Sequence, residues 1–187
     1  MIFSDHFFLL YFFPPLLLLY VLSVKLSRSL FIPNLVLIVG SLLFYATFGI
    51  NSISILLIPI VFDFFLAIAL HRTRQELRRR YLFALGLTIN VLILGYYKYS
   101  IFLATQLSTF FSFHILKTYS ATELILPVGI SFITFQRISY LTDIYKKKIH
   151  ACTNNIHYLT YALLFPYIIA GPIVWYSSIS EELQKSL

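Results

Sequence analysis

Charge is scarce in this chain. Of its 187 residues only 11% are Asp, Glu, Lys or Arg, where a soluble domain carries about 25%. With 59% apolar residues and a mean hydropathy of +0.85, there is too little polar surface to clothe a water-soluble core. The same excess excludes disorder. Cysteine is nearly missing: Cys152 stands alone, which leaves no intrachain disulfide and no thiolate metal cluster. No cofactor and no metal is expected. Acidic residues are also few, seven against fourteen Lys and Arg, for a formal net charge of +7. In a soluble protein that balance would point to nucleic acid. In a chain this apolar it reads as basic cytoplasmic loops, and no nucleic-acid partner is expected. Internal repeats, low-complexity tracts and linkers are absent too, so the residues read as one continuous all-α bundle lying in a bilayer.

A helix needs about 20 mostly apolar residues to cross about 30 Å of hydrocarbon. On that scale the chain offers six spans, at 7–24, 30–48, 51–70, 81–97, 124–145 and 156–176. The first lacks a basic leader and a small-residue cleavage site, so it is expected to stay as an anchor. Lys25 and Arg28 follow the first span. Five arginines between 72 and 80 follow the third, and Lys146, Lys147 and Lys148 follow the fifth. These loops hold ten of the fourteen positive charges. If they are cytoplasmic, alternation across six spans places both termini outside, and the protein is a multi-pass protein of the cell inner (cytoplasmic) membrane. The thirteen residues at 101–113 are too few to cross, and an interfacial or re-entrant segment is expected.

Ionisable groups at membrane depth are costly and are functional candidates by default. Asp63 and Asn90 fall roughly 10–14 Å deep on neighbouring antiparallel spans. They read either as glue between helices or as lining groups. In the fifth span Gln136, Tyr140 and Asp143 share one helical face at i, i+4 and i+7. Arg137 lies beside that stripe with no obvious mate. Asp143 has a simpler partner in Lys147, one turn on. Pro127 and Gly129 weaken the start of this span, and Pro166 with Gly171-Pro172 breaks the last one. Such interruptions suit backbone that is packed in protein or lines a cavity, so a bundle that encloses a passage is a candidate, with Gln136, Arg137, Tyr140 and Asp143 as its tunnel lining. Trp175, Tyr167 and Tyr176 suit an interfacial belt. His6, His71, His114, His150 and His157 all fall in loops or at span ends and read as solvated or interfacial residues.

Four stretches together resemble the membrane-bound O-acyltransferases, in their alginate O-acetylation-like branch. They are Met1–Ser4 followed by Phe7–Pro14; Asn90, Leu94, Lys98 and Tyr99; Leu126-Pro127-Val128-Gly129-Ile130-Ser131-Phe132 running on to Asp143 and Tyr145; and Phe165-Pro166 with Ile169-Ala170-Gly171-Pro172-Ile173. The resemblance covers the whole chain in order, but corresponds only to the amino-terminal part of such enzymes. It implies a multispanning enzyme that moves an acyl group, usually acetyl, from a donor to hydroxyls of an extracytoplasmic polysaccharide or other cell-envelope polymer. Alginate, peptidoglycan and teichoic acid all fit as acceptors.

The resemblance also implies a catalytic histidine in a Trp-His-Gly context and a Trp-Arg-Arg-Trp-like segment, and neither is present. No catalytic residue is therefore assigned. Residues 1–187 read as an amino-terminal portion, truncated on its carboxy-terminal side and inactive alone. The expected partners are the bilayer, a carboxy-terminal half and other envelope acetylation proteins. Two alternatives stay open: a non-enzymatic membrane module that assembles with a separately encoded catalytic half, and a small permease. Trp175 and Ser177-Ser178 depart from the charged residues that many relatives carry there.

Overall fold

Leucine, isoleucine, valine and phenylalanine dominate this chain, and in hydrocarbon the backbone must bond within its own segment. The computed structural model is accordingly helical. It describes residues 6, 8–27, 29–111, 129–166 and 175–178, with side chains given through 99 and at 102 in the fourth helix. Among these residues there is no strand. A π-helical turn, Phe8–Phe12, leads into α1 (Phe13–Leu26), and then come α2 (Phe31–Ala46), α3 (Ile50–Arg72), α4 (Glu76–Phe111), α5 (Ile130–Tyr145) and α6 (Asn155–Leu163).

Local chemistry sets the ends. Pro14 and Pro15 sit in the first turn of α1, where their missing amides cost nothing. Gly49, at φ 111°, turns the chain from α2 into α3 in a conformation that a Cβ would disfavour. The Thr73 hydroxyl donates to the Ala69 carbonyl at 2.7 Å and closes α3. Asn154 caps α6, its Oδ1 accepting from the amides of Ile156 at 3.0 Å and His157 at 3.4 Å.

Among the described residues, three helices are long and apolar enough to cross a membrane: Phe8–Leu26, Ile50–Arg72 and Glu76–Tyr99. The second expected span appears as the shorter apolar helix Phe31–Ala46. Large apolar side chains such as Leu18, Leu43, Phe65 and Leu92 are exposed, a surface that hydrocarbon tolerates and water does not. With several such helices the chain is a multi-pass membrane protein.

Two expectations change. The segment at 101–113 is not separate from the fourth span through residue 111, because α4 runs unbroken for 36 residues. No proline interrupts it, and a rise of about 1.5 Å per residue carries it far beyond one bilayer crossing. The last span does break, and earlier than Pro166: α6 ends at Leu163, and Leu164 turns out of the helix at ψ 102°, upstream of a proline that has no amide to give the Ala162 carbonyl. Of the fifth span, α5 begins only at Ile130, with Gly129 before it at φ 76°. Pro127, Tyr167, Gly171, Pro172 and His114 lie outside the described residues.

Helix α3 is central and packs on α2, α4, α5 and α6. Helix α1 has no buried residue and leans on α2. There Gly40 makes room for Leu16, whose side chain would lie 2.5 Å from an added Cβ. A second core of Phe8, Phe44 and Phe165 ties the amino-terminal turn to α2 and to the chain beyond α6, and the Phe165 amide donates to Ser41 Oγ at 3.4 Å.

Candidate functional site

The three helices α3, α4 and α5 meet on charge. Asp63, on α3, is fully buried, and Asn90, on α4, and Arg137, on α5, are nearly so. The Asn90 amide donates to both carboxylate oxygens of Asp63, at 3.0 and 2.9 Å, and to the Gly86 carbonyl at 2.9 Å. Arg137 Nε lies 3.6 Å from Asp63 Oδ2. Arg137 therefore has a mate within the chain, contrary to the reading from sequence. Helical spacing along α5 could not pair it with a residue seventy-four positions away on another helix.

Close approach is what makes the triad fit. An added Cβ at Gly86 would meet Leu66 of α3 at 2.5 Å and Leu141 of α5 at 2.9 Å. Glycine thus lets α4 settle between its neighbours, as small residues do at membrane helix contacts. The triad is not saturated. Arg137 Nη2 reaches Thr134 Oγ1 at 3.4 Å, but its Nε and Nη1, Asn90 Oδ1, Gln136 Oε1 and Tyr158 Oη have no hydrogen-bond partner among the described residues.

The polar stripe of α5, beside Arg137, faces α6 and the loop before it. Gln136 Nε2 donates to the Tyr161 carbonyl at 3.1 Å, and Tyr140 Oη accepts from the Cys152 amide at 2.9 Å. Gln136, Tyr140 and Asp143 are all buried. Asp143 pairs with Lys148 at 3.8 Å rather than with Lys147. Lys147 takes the left-handed conformation, φ 58°, and its ammonium lies 3.7 Å from Glu76.

Sequence reasoning missed a tyrosine cluster. The rings of Tyr140, Tyr158, Tyr161 and Tyr176 pack with centroids 5.0 to 6.4 Å apart. Tyr176 is buried in it rather than standing in an interfacial belt, while its neighbour Trp175 is exposed. The i, i+3 spacing of Tyr158 and Tyr161 was the available signal. His6, His71 and His150 are exposed and His157 half-buried. His71 and His150 meet edge to face at 5.1 Å, a contact between the last turn of α3 and the segment after α5 that sequence did not suggest. Among the described residues, no group of three or more His, Cys, Asp or Glu could hold a metal ion.

Arg79 is the remaining buried charge. Its guanidinium donates to the Tyr145 carbonyl at 2.8 Å and the Ile144 carbonyl at 3.4 Å, pairs with Glu76 at 3.2 Å and lies over the Tyr145 ring. It ties the start of α4 to the end of α5.

No known family profile matches the chain, and no solved structure matches it significantly. Individual relatives do. The chain is 31% identical to the probable alginate O-acetylase AlgI of Pseudomonas aeruginosa over 184 residues, 97% of this chain and 34% of that protein. It is 32% identical to the peptidoglycan O-acetyltransferase of Helicobacter pylori, across 98% of this chain and 39% of that one. The AlgI protein of Azotobacter vinelandii is 30% identical across 97% and 36%. The chain spans little more than a third of the length of these curated relatives. Similarity extending over 97–98% of the chain, to proteins named for O-acetylation of different polymers, makes the chain a member of the membrane-bound O-acyltransferase family, in the branch of alginate O-acetylases and peptidoglycan O-acetyltransferases.

Proposed function

We propose that residues 1–187 are the amino-terminal portion of a membrane O-acyltransferase that moves an acyl group, acetyl in the first instance, onto hydroxyls of an extracytoplasmic polysaccharide or cell-envelope polymer. The observation that carries this reading is the similarity over 97–98% of the chain to relatives named for O-acetylation of two different polymers, alginate and peptidoglycan. The shared feature is the transfer and not the acceptor. In this reading the chain crosses the inner membrane six times with both termini outside, and its basic loops are cytoplasmic.

Acyl transfer to a hydroxyl needs a base to take the hydroxyl proton as the new ester bond forms. None of the described histidines is buried at membrane depth, so this portion is assigned no catalytic residue. Its part is architectural. The Asp63–Asn90–Arg137 triad fixes the register of α3, α4 and α5. The Gln136, Tyr140 and Asp143 face, seated against α6 and the loop before it, forms part of the wall of a passage completed by residues outside this chain. The polar atoms around Arg137, Gln136 and Tyr158 without hydrogen-bond partners among the described residues supply donors and acceptors that water takes up in such a passage.

The test is acetyl transfer by the purified chain in nanodiscs, read as base-labile acetate on a glycan acceptor. The chain alone is expected to give none. Co-purification with a polypeptide bearing the Trp-His-Gly segment is expected to give turnover. Turnover by the chain alone overturns the claim that it lacks the base. A stable complex that leaves all tested glycans unacetylated overturns the acyltransferase reading.

A further inference from the structure

Where the end of α3, the start of α4 and the end of α5 converge, the surface closes around a cavity of about 410 Å³, within the size range of small-ligand pockets. Its polar wall is His71, Thr73, Arg74, Arg79, Lys147 and His150. From residue 71 to 80 and from 143 to 150 the chain carries eight Lys and Arg against two carboxylates, Glu76 and Asp143.

Helix ends account for part of this charge, because cations offset the exposed carbonyls at a C-terminus. That need is already met. Arg79 holds the last carbonyls of α5, and Lys148 holds Asp143. What remains is a surplus. Arg74 makes no ion pair among the described residues, and Lys147 has only a 3.7 Å approach to an exposed Glu76. The two imidazoles meet edge to face at 5.1 Å on the cavity wall, and neither pairs with a carboxylate among the described residues.

The backbone gives an independent sign. The turn after α5 is a Schellman motif: the Lys148 amide donates to the Asp143 carbonyl at 2.9 Å and the Lys147 amide to the Ile144 carbonyl at 3.0 Å. Its left-handed position is normally glycine. Here it is lysine, the one described non-glycine residue at positive φ. Strain of this kind persists where the side chain has a use, and this side chain lines the cavity.

We propose that the pocket binds a phosphate-bearing anion, with Arg74, Lys147 and the His71–His150 pair as donors and Arg79 as the fixed cationic wall. A lipid phosphate headgroup and a phosphorylated solute share this chemistry. The site is separate from the Asp63 triad and does not depend on the acyltransferase reading.

The full chain is assayed in two arms. Inorganic pyrophosphate is titrated by calorimetry in neutral detergent, and retained lipid is read by native mass spectrometry from phosphatidylcholine nanodiscs with and without cardiolipin. Binding in at least one arm is expected, and the arm that binds names the source. In that arm Arg74→Gln with Lys147→Gln is expected to weaken binding about tenfold or more, as lost charge-assisted hydrogen bonds do. Arg78→Gln with Arg80→Gln removes the same charge from exposed residues that do not line the cavity, and is expected to change binding less than about threefold, since exposed charges are screened. Lys147→Gly keeps the turn while removing the ammonium, so a weakened Lys147→Gly cannot be ascribed to a lost fold. Equal losses in the two double variants overturn the proposal, as does an unaltered chain that binds neither probe.

Discussion

Replacing Asp63 by asparagine removes one negative charge from a fully buried position while keeping the side chain's shape. Its closest cationic atom, Arg137 Nε, is 3.6 Å away. At that separation and an effective dielectric of about 20, attraction amounts to about 5 kcal/mol. Desolvation of both ions offsets much of it, yet the loss of one partner leaves the other charged and buried, which costs about 3–5 kcal/mol. Polar groups in an unfolded membrane chain find substitutes, so about 3 kcal/mol is the expected destabilisation for Asp63→Asn. Arg137→Met should cost a similar amount, because Asn90 alone cannot neutralise the carboxylate. The double variant Asp63→Asn/Arg137→Met should be more stable than the two single losses added together, with a coupling of about 2 kcal/mol or more. Cys152 supplies the assay. It is the single thiol, it is buried, and a maleimide reaches it when the helices separate. Labelling of the purified chain across an SDS titration gives each variant's midpoint. Additive single effects, with coupling under about 0.5 kcal/mol, would refute the ion pair as the unit that joins α3 to α5.

Gly86→Val should overpack the contact with Leu66 and Leu141 and cost about 1–3 kcal/mol in the Cys152 labelling assay. Tyr140→Phe removes the acceptor of the Cys152 amide and should cost about 1–3 kcal/mol, with faster amide exchange at Cys152 by mass spectrometry. Asn154→Ala removes the cap of α6 and should cost about 1 kcal/mol, seen as faster proteolysis beside α6. For topology, an impermeant maleimide added to intact spheroplasts should label Asn51→Cys in a Cys152→Ser background. Gln75→Cys should label only after permeabilisation, and the reverse pattern refutes the orientation.

The helices were legible because a 20-residue apolar run has few other fates, and the basic clusters at 72–80 and 146–148 marked helix ends that the structure places together. Asp63 and Asn90 were legible as a pair because depth along neighbouring spans is a one-dimensional quantity. Arg137 was not: its partner depends on how α5 is rotated against α3, which no spacing within α5 records. The same holds for Tyr176, whose aromatic character suited an interface equally well until its neighbours Tyr140 and Tyr161 closed around it. Residues 101–111 misled because their number was compared with a bilayer thickness. The continuity of the helix depended instead on the absence of proline after Pro59 until Pro127.

Lipid offers little hydrophobic reward for bringing one helix to another, so the choice of neighbours rests on packing and on polar contacts. In this chain α5 carries both sets on different faces. Arg137 binds it to α3, through a charge pair that is costly to separate. Gln136 and Tyr140 bind it to α6 and its preceding loop through two neutral hydrogen bonds, each worth about 1 kcal/mol. The α3–α4–α5 contact is therefore the stronger joint and the α5–α6 contact the weaker one. Helix α6 has only nine residues and ends before Pro166. If a passage opens beside the α5 stripe, the balance of these contacts puts the movement on α6 while the Asp63 triad holds the remaining wall in place.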